Sequence, residues 1–250
     1  MRSVDVAAGV AVLVPQWPAP AAVRAAFTLR AGGVSAAPYD SLNLGTHVGD
    51  GAAAVAENRR RVRRQLQLPQ EPAWLEQVHG SDVADVDEPA VAPARADAAL
   101  ARRAGRVCAV QVADCLPVLF ASGAAVAAAH AGWRGLAAGV LEATVARFGA
   151  DPAQLIAWLG PAIGAQHFEV GADVRNAFLA QDGAAADAFT ANARGRWQCD
   201  LARLARQRLG RAGVQRVFGG HWCTYADPAR FFSHRRAGAC GRMAALIWLE

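Results

Sequence analysis

Residues 107–131 read VCAVQVADCLPVLFASGAAVAAAHA and contain three short apolar runs. The runs at 107–113, 116–121 and 124–130 have the length and the Val, Leu and Ala content of buried strands. Ser122-Gly123, between the second and third runs, suits a tight hairpin. The stretch therefore predicts three consecutive strands, the last two joined as a hairpin.

Helical and apolar segments alternate after this stretch. Helices are predicted at 135–148, 173–181 and 200–209. Further strands are predicted at 155–159, 214–218 and 243–249. Gly149 suits the C-cap of the first helix, and Asp173 and Asp200 suit the N-caps of the others. We find no linker, repeat or low-complexity tract, so the sequence predicts one mixed α/β domain spanning residues 1–250.

Composition excludes several protein classes. Hydrophobic residues make up 54% of the 250 and charged residues 19%, which excludes a disordered chain. No apolar run reaches the roughly 20 residues that span a bilayer. The apolar stretch at 6–14 is short and begins beside Asp5, unlike a signal peptide. Five cysteines without a CxxC pair do not indicate a disulfide framework, so we expect a cytoplasmic protein with reduced thiols.

All 26 basic residues are Arg. Without Lys the chain forms no Schiff base and has no P-loop lysine. The net charge of +5 is mild, and the only basic run lies at 58–64. We interpret that run as a solvated helix face and expect no nucleic-acid partner. The alternative is that Arg59 turns inward and binds phosphate.

His79, Cys115 and His130 are candidate metal ligands because each lies at the edge of a predicted element, next to a turn. Two imidazoles and a thiolate with a fourth position open are typical of a catalytic zinc site. Their spacings of 36 and 15 residues match no short metal motif. The residue types alone therefore leave open a buried cysteine beside two histidines satisfied by hydrogen bonds.

Many separate motifs make the chain recognisable. They are FTLR at 27–30, GGVS at 32–35, SLNLG at 41–45, HVGD at 47–50, ENR at 57–59, QVHG at 77–80, ADA at 96–98, DCLP at 114–117, HAGWRG at 130–135, GPAIG at 160–164, FEVG at 168–171, CT at 223–224, FFSHRR at 231–236 and GR at 241–242. In this order they resemble the multicopper polyphenol oxidase (laccase domain) family, also called the YfiH/LACC-type or purine nucleoside phosphorylase family.

The resemblance implies a single-domain, four-layer α-β-β-α sandwich with mixed sheets. It implies a catalytic Zn²⁺ bound by His79, Cys115 and His130. It also implies phosphorolysis of adenosine, inosine, guanosine and methylthioadenosine, and deamination of adenosine by a zinc-activated water. We expect nucleoside and phosphate as partners, no membrane, and a monomer or small homo-oligomer. Copper is less supported, because six histidines without a His-x-His pair cannot supply several copper centres.

These reactions need further groups. Asp114, or less plausibly Glu76, is the candidate proton shuttle for deamination. Phosphate could be bound by arginines within the motifs, each of which could instead form a structural ion pair. These candidates are Arg30, Arg59, Arg134 and Arg235. His47 either contacts substrate or caps its turn, and Trp133 either stacks on a purine or packs on the next helix.

Two other functions remain open. Cys115 could be a nucleophile activated by His130 that hydrolyses an amide in a cell-wall precursor, because some family members resemble peptidoglycan editing factors. A zinc hydroxide could do the same. Alternatively the protein is a non-catalytic regulator with a structural zinc, which would require a fourth ligand such as Cys223 or His221.

Overall fold

The fold is described from a computed structural model that covers residues 9–88 and 92–250. The N-terminal part of the apolar stretch at 6–14 lies outside these residues. The strands are β1 (Val12–Leu13), β2 (Val23–Thr28), β3 (Val83–Asp85), β4 (Ala98–Ala101), β5 (Val107–Val112), β6 (Leu116–Ala121), β7 (Val126–Ala131), β8 (Ile156–Leu159), β9 (Glu169–Val170), β10 (Phe189–Ala191), β11 (Trp197–Cys199), β12 (Arg216–Gly219) and β13 (Met243–Leu249).

The helices lie between groups of these strands. They are α1 (Ala52–Gln65), α2 (Trp133–Ala138), α3 (Val140–Phe148), α4 (Ala172–Leu179), α5 (Leu201–Arg211) and α6 (His234–Ala237), with 3₁₀ helices at Pro152–Gln154 and Gly183–Ala188. None of the helices in the described ranges is both long and apolar enough to cross a membrane.

The strands pair into three sheets within the described residues. The first sheet has the order β1-β2-β13-β5, and all of its pairs are antiparallel. The second has the order β12-β8-β6-β7-β4-β3, with parallel pairs at both edges and antiparallel pairs between them. A small antiparallel sheet has the order β10-β11-β9. Mixed pairing is thus confined to the second sheet.

Side chains that alternate along the strands define four layers. On β5, Val110 faces the second sheet and packs with Leu119, whereas Ala109 faces α1 and packs with Val62. The other face of the second sheet packs against α2, α3, α4 and α5 through residues such as Phe120. Each buried Val, Leu or Phe side chain in these layers contributes about 1.5–3 kcal/mol to folding. The predicted α-β-β-α sandwich is confirmed.

The 107–131 stretch lies at the centre of this sandwich. Its three predicted strands are β5, β6 and β7, and all of their residues are buried. The turn after β6 pairs Ala121 with Val126, so the predicted hairpin is confirmed. The stretch crosses from the first sheet to the second at residues 113–115, which contain two of the predicted site residues.

The predicted helix at 135–148 is wrong as a single helix. Gly139 adopts a left-handed φ of 99° and separates α2 from α3. The break frees the carbonyl of Ala137, which accepts a hydrogen bond from Gln181 Nε2 at 2.7 Å. The C-cap at Gly149 is confirmed by its φ of 65°.

The two predicted Asp caps differ in outcome. Asp200 caps α5, because its carboxylate accepts a hydrogen bond from the Arg203 N–H at 2.9 Å. Asp173 does not cap α4, which begins one residue earlier, so that Asp173 lies in its first turn. Gly171 is the N-cap there, without a side-chain cap bond.

Candidate metal centre

His79, Cys115 and His130 come together at the end of the second sheet where β3 and β6 begin and β7 ends. His79 lies in the loop before β3, Cys115 in the bend between β5 and β6, and His130 next to the end of β7. One ligand atom from each lies within 4.8 Å of the other two. Among residues 9–88 and 92–250, this is the only such group of His, Cys, Asp and Glu.

The spacing of the donor atoms suits a metal ion. Cys115 Sγ lies 4.0 Å from His79 Nε2, and the two imidazole rings are 4.8 Å apart at 73°. Nitrogen and sulfur ligands around a tetrahedral zinc lie about 3.5 Å apart, as follows from bond lengths near 2.0–2.3 Å. The three donor atoms would therefore need to move only slightly closer together to bind one ion.

Asp97 holds two of the ligands, a role that the sequence analysis missed. Its buried carboxylate lies 2.8 Å from His130 Nδ1 and accepts hydrogen bonds from the backbone N–H groups of His79, Val78 and Gly80 at 2.9, 3.1 and 2.7 Å. Bonding at Nδ1 directs Nε2 of His130 toward the other ligands. The three N–H donors fix the loop at His79, whose φ is 61°.

Electrostatics favour the deprotonated thiol. Burial alone would raise the pKa of Cys115, but the charge and hydrogen bonds of His130 and His79 lower it to about 6. Burial likewise opposes a charged His130, yet Cys115 and Asp97 together raise its pKa. Burial also opposes ionisation of Asp97, while His130, Gly80 and Val78 lower its pKa. Thiolate is the form of cysteine that binds a metal.

Gly132 is required next to the cluster because there is no room for a side chain. A Cβ at this position would lie 2.9 Å from Cys115 Sγ and 3.1 Å from His79 Cδ2. Gly135 is similarly restricted, since its Cβ would lie 2.7 Å from the carbonyl oxygen of Gly80. The two glycines of the HAGWRG motif therefore let α2 approach the ligands closely.

No fourth protein ligand joins the cluster within the described residues. Cys223 instead accepts a hydrogen bond from the Gly164 N–H at 3.2 Å, and its Sγ lies 3.5 Å from His167 Nδ1. His221 packs on Trp222, with ring centroids 3.7 Å apart. Three ligands with one open position are typical of a catalytic rather than a structural zinc site.

The four arginine candidates lie in different surroundings. Arg30 forms an ion pair with Asp40 and also donates to two carbonyl groups, as the ion-pair alternative predicts. Arg235 Nη1 donates to the carbonyl of Glu169 at 3.0 Å. Arg134 is exposed and lies over the ring of Trp133 at 4.4 Å. Trp133 itself packs against the core between the second sheet and its helices.

Arg59 turns inward from α1. Its Nε and Nη2 donate to the carbonyl of Leu44 at 3.1 and 2.9 Å, and its guanidinium lies 4.1 Å from the centre of the Trp74 ring. Neighbours in the basic run behave differently, since Arg60 and Arg61 form ion pairs with Glu57 near the surface. Most of the basic run is therefore a solvated helix face, whereas Arg59 turns inward.

His47 is electrostatically linked to the cluster. Burial, then the positive charges of Arg242 and Arg59, and then those of His130 and His79 lower the pKa of His47. A histidine with a lowered pKa is neutral at pH 7, when it offers one N–H donor and one acceptor nitrogen.

Asp114 lies beside Cys115, but its carboxylate is already bonded. It accepts hydrogen bonds from Thr224 Oγ1 at 2.6 Å and from the Arg235 N–H at 2.7 Å. These bonds give Asp114 the geometry of a residue that positions the bend carrying Cys115. Its role as a proton shuttle stays a prediction. Glu76, the other candidate, is exposed.

The chain is similar to known proteins along most of its length. A family described as "Multi-copper polyphenol oxidoreductase laccase" matches residues 24–250. The purine nucleoside phosphorylase PA4543 of Pseudomonas aeruginosa is 55% identical over 95% of this chain and 98% of its own. The purine nucleoside phosphorylase YfiH of Escherichia coli is 53% identical over the same shares. A crystal structure of the Neisseria meningitidis protein NMB0706 superposes with a TM-score of 0.93, with 50% identity over 96% of this chain and 99% of that one.

Proposed function

We propose that this chain, which belongs to the multi-copper polyphenol oxidoreductase laccase family, catalyses phosphorolysis of purine nucleosides at His79, Cys115 and His130. The single observation that carries the proposal is this cluster of three metal-ligand residues, which no fourth His, Cys, Asp or Glu joins within the described residues. It occurs in a chain whose relatives at half identity are named for that reaction. Adenosine, inosine, guanosine and methylthioadenosine are the proposed substrates, and deamination of adenosine is the proposed side reaction.

The donor set fits one zinc ion better than a group of copper ions. Copper oxidases need several nitrogen-rich centres, whereas the described residues hold one cluster of two imidazoles and a thiol. Asp97 supplies the carboxylate partner that metal-bound histidines usually have. When bound here, Zn²⁺ would act as a Lewis acid and lower the pKa of a water toward about 7.

The chain's own residues would perform the rest of the work. Asp97 keeps the Nδ1 proton of His130 in place, so that Nε2 faces the site. His47, neutral at pH 7 because its pKa is lowered, is a proposed contact for substrate. Arg59 and the exposed Arg134 are the proposed contacts for phosphate and ribose, whereas Arg30 is committed to Asp40.

The test uses purified protein of measured metal content, incubated with adenosine with and without phosphate, and product analysis by chromatography. We expect adenine and ribose-1-phosphate only when phosphate is present, and inosine also when phosphate is absent. Cys115→Ala should lose the metal and both products. Cys223→Ala is the matched control, because that thiol also lies near a histidine but outside the cluster.

Two outcomes would contradict the proposal. Wild-type protein that holds one zinc and leaves adenosine intact would exclude it, and the cell-wall amidase would become the function to test. Full activity of Cys115→Ala would remove the cluster from the reaction even if nucleosides are consumed.

A further inference from the structure

Two arginines flank a turn next to the metal centre. This turn, residues 43–47, lies between Arg59 and Arg242. Arg59 donates two hydrogen bonds to the carbonyl of Leu44. On the other side, the Leu44 N–H donates to the carbonyl of Arg242 at 3.0 Å. A Cβ on Gly45 would lie 2.8 Å from Cγ of Arg242, so that side chain runs directly along the turn.

Two fully buried asparagines make the turn rigid. Asn43 Oδ1 accepts hydrogen bonds from the N–H groups of Gly45 and Arg242 at 2.9 and 2.8 Å. Asn58 Nδ2 donates to the carbonyl of Asn43 at 2.9 Å. Buried amides bonded in this way fix the positions of the arginines before any ligand arrives, which reduces the entropy lost on binding.

The positive charges here are not neutralised by ion pairs. Within residues 9–88 and 92–250, neither Arg59 nor Arg242 forms a salt bridge with a carboxylate, although many other arginines do. Burial is the main cause of the lowered pKa of His47, and the positive charges of Arg242 and Arg59, and then those of His130 and His79, add to it. The centre is therefore bordered by two guanidinium groups whose field favours an anion.

One buried acceptor in the same place has no donor. Gln111 is 5% exposed, and its Oε1 accepts no hydrogen bond from any described residue. This oxygen lies 3.3 Å from the position that a Cβ of Gly45 would occupy. A buried acceptor without a partner destabilises the fold, so a ligand that carries an O–H would be favoured at this position.

We propose that Arg59, Arg242, His47 and Gln111 form the subsite for inorganic phosphate. Hydrogen phosphate fits all four, because it is a divalent anion that still carries one O–H. Arg59 already donates Nε and Nη2 to Leu44, and Arg242 donates Nη1 to the carbonyls of Cys240 and Gly241. Their remaining N–H groups would bind the anionic oxygens, and Gln111 Oε1 would accept the O–H. This assignment rests on the proposed phosphorolysis and adds Arg242 and Gln111 to the residues that the sequence suggested.

The subsite would place phosphate for direct attack on the nucleoside. A phosphate oxygen forms a bond to C1′ of the ribose while the bond from C1′ to N9 of the purine breaks. The electron pair of the broken bond leaves with N9, which takes up the proton originally carried by hydrogen phosphate. Ribose-1-phosphate and the free purine result, and no other reactant is needed.

The test measures phosphate binding and turnover separately. Zinc-loaded wild type, Arg242→Gln and His47→Gln are titrated with inorganic phosphate by calorimetry, and KM values for phosphate and inosine are determined for each. Both substitutions should weaken phosphate binding and raise its KM, for Arg242→Gln about tenfold or more. Zinc content, melting temperature and the KM for inosine should change little. Arg63→Gln, on the exposed side of the same helix as Arg59, is the control.

Gln111→Leu provides an independent test that removes no charge. Sulfate has the shape and charge of hydrogen phosphate but no O–H, so wild type should prefer phosphate strongly. The substitution should reduce this preference, measured as the ratio of the two dissociation constants. An unchanged ratio would remove Gln111 from the subsite.

The outcomes separate this inference from the proposed function. Turnover with an unchanged KM for phosphate in Arg242→Gln and His47→Gln would overturn the subsite and leave the function standing. Phosphate binding that depends on Arg242, in a protein that turns over no nucleoside, would support the subsite and contradict the function. Wild type that binds no phosphate at millimolar concentration would overturn the subsite as well.

Discussion

At the scale of single residues, Asp97 links parts of the site that are distant in sequence. One carboxylate bonds the imidazole of His130 on β7 and three backbone N–H groups around His79. A neutral amide cannot reproduce this pattern, because its NH₂ group would face N–H donors. The site therefore depends on a charge that touches no substrate.

Asp97→Asn should weaken zinc binding about 10–100-fold, because the orientation of His130 and of the loop at His79 is lost together. We also expect a loss of about 1–3 kcal/mol in the free energy of unfolding, from backbone donors left without an acceptor. Competition with a chelator measures the first effect and thermal unfolding the second. Asp187→Asn is the matched control, since that carboxylate forms only an exposed ion pair with Arg203. Equal zinc affinity in the two variants would show that Asp97 does not position the ligands.

The thiols should differ sharply in reactivity when the metal is removed. The pKa of Cys115 is lowered to about 6, whereas burial first of all raises the pKa values of Cys108 and Cys199 well above the usual range. Thiolate is the reactive form, so Cys115 should be alkylated first at pH 7, and its rate should fall as the pH drops below about 6.

Mass spectrometry after brief iodoacetamide treatment identifies the labelled cysteine at each pH. Zinc should protect Cys115, and the control is the same treatment before the metal is removed. Labelling of Cys108 ahead of Cys115 would contradict the charge arrangement described for the cluster.

At the scale of elements, the close approach of α2 to the ligands is the most sensitive feature. Gly132→Ala should displace Cys115 and His79, because the new Cβ would lie only 2.9 and 3.1 Å from their side chains. We expect at least a tenfold loss of zinc affinity with the fold retained, measured by chelator competition and circular dichroism.

Gly210→Ala tests the same substitution where nothing lies within 4 Å. This glycine is in helix α5, so alanine should raise the free energy of unfolding by about 0.4–1 kcal/mol and leave zinc binding unchanged. If both alanine variants bind zinc as wild type does, the space around Gly132 is not limiting.

The elements that could be predicted are those whose signals are local. The strands at 107–121 follow from run length and turn residues, and Asp200 was recognisable as a cap. The break at Gly139 was not, because glycine is tolerated within helices and the freed carbonyl is satisfied by Gln181, 44 residues away. Local signals cannot report such a partner.

The site residues also divide into those that the sequence could predict and those that it could not. Family motifs indicated His79, Cys115 and His130, and the structure brings all three together. The role of Asp97 depends on the register of β4 against β7, which no local pattern specifies. The position of Arg242 could not be predicted for the same reason, because its neighbours on the turn at 43–47 are about 200 residues away in sequence.

At the scale of the whole molecule, the site joins the two central sheets. The metal ligands lie where β3 and β6 of the second sheet begin and β7 ends. Arg242 and Gln111 belong to the first sheet or its immediate border, and Arg59 lies on the helix that covers it. A metal ion bound at this junction should therefore stabilise the fold as a whole.

Zinc at 1,000 times its dissociation constant should raise the free energy of unfolding by about 4 kcal/mol, because it binds only the folded chain. For a protein of this size each kcal/mol raises the melting temperature by about 2–4 °C. Differential scanning fluorimetry with added zinc or chelator measures the shift. Cys115→Ala should show none, and a wild-type melting temperature unaffected by chelator would contradict a tight site.

The hairpin of β6 and β7 also has a consequence for the order in which the site assembles. Its strands pair from Ala121 with Val126 outward to Leu116 with Ala131, so Cys115 and His130 lie at its open end. Hairpins close within about 1–10 μs, whereas contacts between distant segments form more slowly. Two ligands are thus expected to meet early during folding, and His79 would arrive only when Asp97 anchors its loop. A newly synthesised chain would then have two of the three ligands in place first, so tight metal binding should begin only when the loop of His79 docks on Asp97.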